Sequence, residues 1–167
     1  MDYNIRLAEE NDCYKLSVLK KSVWETTYRG IYPDDMIDNF NFKKHENRFK
    51  FFVDSADIDL YVVEVEDKII GYVSCGKPLY DYQDYKQEIH LFYLESAYQR
   101  LGIGSDLFKM IYEIIKLKGV NKFFISCNKY NLSAQKFYEQ MGGRVIEIDP
   151  DSDTKYMVQI KYHYDVN

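Results

Sequence analysis

The segment 99–104, with the sequence Gln-Arg-Leu-Gly-Ile-Gly, carries the clearest chemical signal in the chain. It follows a run of residues typical of a strand and opens one typical of a long helix. Gly102 and Gly104 let backbone N–H groups come close to a ligand, and a helix N-terminus adds partial positive charge. Together these features predict an anion site suited to a pyrophosphate. The alternative is a glycine-rich turn that only connects a strand to a helix.

Two nucleotide-binding motifs do not fit the residues around this segment. No Gly-Lys-Ser/Thr sequence follows, so the segment is not a P-loop. A dinucleotide fingerprint needs a third glycine near position 107, where Leu107 stands, and normally lies in the first βα turn. A nucleotide-binding oxidoreductase is therefore disfavoured.

The composition is that of one folded domain without a strong charge bias. The 167 residues predict a single domain over 1–167, and 46% hydrophobic with 29% charged residues excludes a disordered chain. With a net charge of −5, the chain lacks the excess of positive charge expected of a nucleic-acid binder. The first residues show no basic region followed by an apolar run, so we expect no signal peptide, and no stretch approaches the ~20 apolar residues of a membrane span. We therefore expect a cytoplasmic protein without nucleic-acid or membrane partners.

The metal-ligating residue types are scattered along the sequence. Cys13, Cys75 and Cys127 are odd in number and form no CxxC pair. This spacing argues against a disulfide framework and against a zinc site. We expect no metal.

Periodicity predicts the elements that must position the glycine segment. Alternating or β-branched runs predict strands over 3–7, 60–65, 69–75, 88–94, 122–127, 144–148 and 156–164. Apolar residues at helical spacing predict helices over 12–24, from 33, and over 43–53, 102–118 and 133–141. Residues 78–86 form a polar, tyrosine-rich loop. This order predicts a mixed sheet with helices on both faces.

Two further candidate residues belong to the next predicted helix, 133–141, one just before its start and one within it. Asn131 and Tyr138 are seven residues apart, which is two helical turns, so they project from nearly the same face. With these residues the chain resembles the GNAT superfamily of N-acetyltransferases. Three motifs carry the resemblance: Q/R-x-x-G-x-G/A at Gln99, Gly102 and Gly104; N-x-x-A-x-x-F-Y-E-x-x-G at Asn131, Ala134, Phe137, Tyr138, Glu139 and Gly142; and W-x-x-x-Y-x-G-x-x-P at Trp24, Tyr28, Gly30 and Pro33.

The resemblance implies a single-domain α/β (α+β) fold with a mixed, largely antiparallel central sheet flanked by helices. It also implies that the chain binds acetyl-CoA through residues of three segments: Phe92, Tyr93 and Leu94 for the acetyl and pantetheine portions; Gln99, Arg100, Leu101, Gly102, Ile103, Gly104 and Ser105 around the pyrophosphate; and Asn131 and Tyr138 beside the pantetheine arm and the sulfur. The third motif is similar to that of one common bacterial branch. The family's usual Gly-Phe after the last helix is Gly142-Gly143 here.

The chemistry of acetyl transfer to an amine assigns roles to some of these residues. A departing thiolate is helped by a proton donor, and Tyr138 fits that role. A strand-edge N–H such as that of Leu94 could stabilise the oxyanion. Glu88 and His90 share a strand face, and Glu88 could accept the amine proton through water, although a solvated glutamate and a core histidine are equally compatible.

Trp24, Tyr28 and Tyr32 could line the acceptor site or belong to the core, because periodicity does not separate these interpretations. Cys127 has no visible His-Asp partnership, so a small strand residue is favoured over a covalent acetyl-enzyme. We therefore expect direct transfer of an acetyl group to the primary amine of a small molecule or peptide, and leave a homodimer open. The alternative is a non-catalytic coenzyme A-binding module, which would be expected to lose Tyr138.

Overall fold

A seven-stranded sheet organises the chain in the computed structural model, which describes residues 2–167. The strands are β1 Asn4–Leu7, β2 Ile58–Val65, β3 Lys68–Gly76, β4 Glu88–Leu94, β5 Lys122–Asn128, β6 Arg144–Ile148 and β7 Gln159–Asp165. The helices are α1 Cys13–Val23, α2 Asp34–Asp38, α3 Phe42–Asp54, α4 Ile103–Leu117 and α5 Leu132–Gln140. The predicted fold class is thus confirmed, since the sheet is mixed and mostly antiparallel.

One seam in the middle of the sheet differs from all the others. The strand order is β1-β2-β3-β4-β5-β7-β6, and every neighbouring pair is antiparallel except β4 and β5. These two parallel strands pair only at Glu88 with Phe124 and at Ile89 with Ile125. Beyond Ile89 they diverge, and the edge of β4 is left open.

Each face of the sheet is covered by its own set of helices. The apolar stripe of α4, which includes Leu107, Ile111 and Ile115, is fully buried against one face together with α5. Helices α1 and α3 bury Leu16, Phe49 and other apolar residues against the opposite face. No helix among residues 2–167 is long and apolar enough to cross a membrane.

Two boundaries differ by three residues or more from those that the sequence predicts. The first helix continues beyond Val23 as a π-helix, Trp24–Tyr28. The last strand begins at Gln159 and not at 156, because Asp149 and Gln159 close the hairpin through Asp149 N–H to Gln159 O at 2.9 Å. Residues Lys155–Met157 inside that longer loop form a 3₁₀ turn.

Strand β4 contains a bulge that changes which way its side chains point. Cys75 of β3 faces Ile89, whereas the preceding Ser74 faces Leu91, so His90 is the additional residue. As a result, Ile89 packs into the core under α4, whereas Leu91 packs into the core under α1 and α3. A bulge of this kind re-aims the side chains around it.

Candidate active site

A cleft of about 770 Å³ opens where β4 and β5 diverge. Its walls are the open edge of β4, the last residues of β5, the N-termini of α4 and α5, and the segment that follows α1. The candidate residues that line it are Glu88, Phe92, Tyr93, Leu94, Gln99, Arg100, Gly102, Gly104, Ser105, Asn131, Tyr138, Tyr28 and Tyr32. The structure therefore brings most of the sequence candidates to one place.

The N-terminus of α4 presents free backbone donors to this cleft. The first helical bond runs from Asp106 N–H to Gly102 O at 3.1 Å. The N–H groups of Ile103, Gly104 and Ser105 consequently have no acceptor among the described residues. Three free donors at the positive end of a 15-residue helix are suited to hold an anion.

The two glycines of this turn have different reasons to be glycine. Gly102 has a φ of +88°, a left-handed conformation that side chains rarely adopt. Gly104 has no such conformation, and a Cβ there would lie 3.6 Å from the ring of Phe137, an ordinary contact. Neither strain nor internal packing requires a glycine at 104. Its bare backbone fits the close approach of a ligand from the cleft.

The remaining predicted anion-site residues have structural roles as well. Gln99 donates from Nε2 to the carbonyl of Leu94 at 2.9 Å and so fastens the β4–α4 connection. The side chain of Ile103 is buried in the core, and Leu101 is exposed and not part of the cleft lining. These two residues can contribute to the site only through their backbone.

Asn131 and Tyr138 both line the cleft from α5. Asn131 is the N-cap of that helix: its Oδ1 accepts the N–H of Ala134 at 3.1 Å, and its Nδ2 donates to the Tyr28 hydroxyl at 3.4 Å. The ring of Tyr138 is buried, with its edge against Phe92 at 6.4 Å between centroids. Burial raises the pKa of Tyr138 well above its ordinary value, so the phenol keeps its proton at neutral pH.

Glu88 and His90 lie together on the face of β4 that α1 and α3 cover. The side chain of Glu88 is only 15% exposed, and its Oε2 lies 3.8 Å from Nε2 of His90. Oε2 also accepts the backbone N–H of Leu79 at 3.2 Å. Burial raises the pKa of Glu88, which brings this carboxylate closer to the range of a useful base. Glu88 is therefore not a solvated strand end.

The three aromatic residues predicted for the acceptor site separate into two groups. Tyr28, at the end of the π-helix, and Tyr32 line the cleft with ring centroids 4.5 Å apart. Trp24 is not part of the cleft lining. It packs edge-on behind Tyr32 and against Phe40, in the core under α1 and α3.

Cys127 lies in the wall of the cleft but is not an activated nucleophile. Burial raises its pKa to about 12, so the thiol stays protonated at neutral pH. No histidine or carboxylate hydrogen bonds to it among residues 2–167, which agrees with the small strand residue that the sequence favours.

The split sheet and its anion-binding helix define the class of the protein, and comparison with known proteins gives its family. The model of the Acetyltransferase (GNAT) family matches residues 5–143. The chain belongs to this family and is an acetyltransferase, as the sequence motifs predict. The alternative of a binding module without activity is thereby set aside.

Individual relatives agree with this assignment. The chain is 26% identical over 145 residues to the uncharacterized N-acetyltransferase YuaI of Bacillus subtilis (strain 168), covering 86% of this chain and 82% of that protein. The crystal structure of PaiA N-acetyltransferase from Thermoplasma acidophilum in complex with coenzyme A superposes with a TM-score of 0.80 at 22% identity, covering 98% and 100% of the two chains. A probable acetyltransferase from Staphylococcus epidermidis ATCC 12228 gives 0.75 at 15% identity, covering 99% and 100%. These solved structures share the fold.

Proposed function

We propose that the protein transfers the acetyl group of acetyl-CoA to a primary amine by direct attack in a ternary complex. One observation carries this proposal: a single cleft holds an anion-binding helix N-terminus and a buried carboxylate. The first group suits the pyrophosphate of coenzyme A, and the second suits removal of a proton from an ammonium group. A protein that only bound the coenzyme would have no use for the carboxylate.

The open edge of β4 fits the acetyl and pantetheine portions. Glu95 donates its N–H to Ile70 of β3 at 2.8 Å. Because N–H groups alternate between the two sides of a strand, Leu94 and Phe92 turn theirs toward the cleft. The N–H of Leu94 can therefore donate to the thioester carbonyl and stabilise the negative charge that develops there.

Glu88 and Tyr138 supply the proton transfers. The bound thioester provides the electrophilic carbonyl. Glu88 accepts a proton from the acceptor ammonium, directly or through water, so that the amine becomes nucleophilic. As the C–S bond breaks, Tyr138, protonated at neutral pH, donates its proton to the departing thiolate and recovers one from the nitrogen that becomes the amide. The cap bond to Ala134 orients Asn131, which supports a role for this side chain in holding the pantetheine arm.

The acceptor enters beside Tyr28 and Tyr32, opposite the anion-binding helix. These phenols suit a small-molecule or peptide amine, since an aromatic face attracts a cation before it loses its proton. Trp24, Tyr28, Gly30 and Pro33 match the motif of one common bacterial branch of the family. This match supports membership of that branch.

A panel of amines, assayed by thiol release from acetyl-CoA and by product mass, tests the proposal. We expect acetylated product from at least one primary amine and a raised melting temperature with acetyl-CoA but not with NAD or ATP. Stabilisation by NAD or ATP alone would contradict the assignment of the cleft. A stoichiometric acetyl-enzyme that passes its acetyl group to amine would contradict direct attack.

A further inference from the structure

A tyrosine-rich segment, residues 77–87 between β3 and β4, crosses the sheet face opposite α4 and α5. We call it the strap. Two of its side chains, Tyr82 and Tyr85, lie over Phe124 of β5 with ring centroids 5.0 and 5.1 Å from it. Tyr82 and Tyr85 also stack on each other at 5.7 Å. The strap is therefore packed against the strand that forms one side of the cleft.

Hydrogen bonds from both tyrosines fasten the strap to β6 and β7. The buried hydroxyl of Tyr85 lies 2.7 Å from Nδ1 of His163, whose Nε2 lies 2.9 Å from a carboxylate oxygen of Asp165. Because a carboxylate accepts, Nε2 carries the histidine proton and Nδ1 accepts from Tyr85. The hydroxyl of Tyr82 donates to Glu147 at 2.8 Å, and Glu147 also pairs with Lys161.

The other end of the strap holds the polar groups of β4. Its Leu79 N–H donates the one hydrogen bond that the Glu88 carboxylate accepts within residues 2–167. Its Lys77 carbonyl accepts from Nε2 of His90 at 2.9 Å. The charged and titratable groups that face Glu88 are then His90 from β4 and Lys161 from β7.

We propose that Tyr82 and Tyr85 are positioning residues for the transfer reaction: they hold the strap so that Leu79 fixes the carboxylate of Glu88. This inference rests on the proposed role of Glu88 as the base. Neither tyrosine lines the cleft, so neither is expected to touch the coenzyme or the acceptor. Their effect on the reaction passes through the strap backbone.

Tyr85→Phe tests the inference, with Tyr80→Phe as a matched control. Tyr80 lies in the same strap but is 84% exposed. In Tyr85→Phe we expect kcat to fall about tenfold or more, because displacing a reacting group by an ångström can cost up to about 100-fold. KM for acetyl-CoA should not change, since the anion site lies on α4. The Leu79 N–H lowers the pKa of Glu88, so a strap that no longer holds this hydrogen bond should move the acid limb of the pH–rate profile to higher pH.

A second variant covers a failure of Tyr85→Phe to fold. Tyr82→Phe leaves no buried imidazole without a partner. We expect the fall in kcat and the shift of the acid limb to have the same direction as in Tyr85→Phe but a smaller size. Suppose that Glu88→Gln is impaired but the pH–rate profiles of Tyr82→Phe and Tyr85→Phe match that of Tyr80→Phe. This outcome would overturn the positioning role and leave the base assignment intact. Full activity of Glu88→Gln would overturn both.

Discussion

The two walls of the cleft offer a ligand different kinds of groups. The wall at α4 offers backbone N–H groups of three consecutive residues and the end of a helix. The opposite wall offers side chains, namely Tyr28, Tyr32 and the carboxylate of Glu88. A backbone site survives most substitutions, whereas a side-chain site can be removed one group at a time. Single substitutions should therefore impair the chemical step or acceptor binding without weakening coenzyme binding.

The largest effect is expected from Glu88→Gln. The amide keeps the size of the side chain but cannot accept the amine proton, so kcat should fall by about 10²–10⁴-fold. Acetyl-CoA affinity, measured by calorimetry, should stay unchanged. In the parent protein the rate should fall as the pH drops through the raised pKa of Glu88, because the protonated carboxyl is no base. A wild-type kcat in this variant would remove Glu88 from the mechanism.

Tyr138→Phe should have the next largest effect. Loss of the hydroxyl removes the proton donor but leaves the ring packed, so kcat should fall by about 10²-fold or somewhat less. Acetyl-CoA affinity should change little, because the lost interaction belongs to the transition state. Tyr162→Phe, in the neighbouring ring of the same core, is the control. Equal turnover by the two variants would return Tyr138 to a packing role.

Ser105→Asp probes the backbone wall through charge. The carboxylate suits the first turn of a helix, so the melting temperature of the free protein should not fall. It should repel the pyrophosphate, and acetyl-CoA affinity should drop by about tenfold, the equivalent of 1.4 kcal/mol. Ser105→Asn, nearly equal in size and uncharged, is the matched control. Equal binding of acetyl-CoA to both variants would contradict the anion site at α4.

Trp24→Phe separates the acceptor wall from the core behind it. The indole Nε1 is buried without a partner among the described residues. Removing this unpaired donor is favourable and offsets part of the packing energy that the smaller ring loses. We expect a decrease of about 1 kcal/mol in the free energy of unfolding, or about 2–4 °C in Tm. KM for the acceptor should not change, whereas Tyr32→Ala should raise it. A raised KM in Trp24→Phe would place the indole at the acceptor site.

Cys127→Ala should have the smallest effect. The thiol is buried and protonated, so its removal should leave kcat near that of the parent protein. Intact mass spectrometry after incubation with acetyl-CoA alone should show no added acetyl group. A stable acetyl adduct that is lost in Cys127→Ala would contradict direct attack.

The backbone wall could be predicted from sequence because its parts are contiguous. Gly102 and Gly104 at the start of the apolar stripe of α4 already specify a helix N-terminus with room for a ligand. Asn131 and Tyr138 follow from a spacing of two helical turns, although Asn131 lies at the cap and not within α5.

The side-chain wall could be predicted only in part, because it depends on contacts distant in sequence. Periodicity places Trp24 and Tyr28 on the same amphipathic segment, and only packing shows that Trp24 is behind the wall. The bulge at His90 depends on the register with β3, and the fastening of Tyr85 depends on His163, 78 residues away. No local pattern of residues encodes either feature.

The short pairing of β4 with β5 also has a mechanical consequence. Only two residue pairs join these strands, whereas β2 and β3 pair along eight positions. Widening the seam breaks few hydrogen bonds and leaves the ladders of β1–β4 and β5–β7 intact. The sheet therefore consists of two well-paired halves joined by one short parallel ladder. A long, flexible donor molecule could enter between them without the unfolding of any strand.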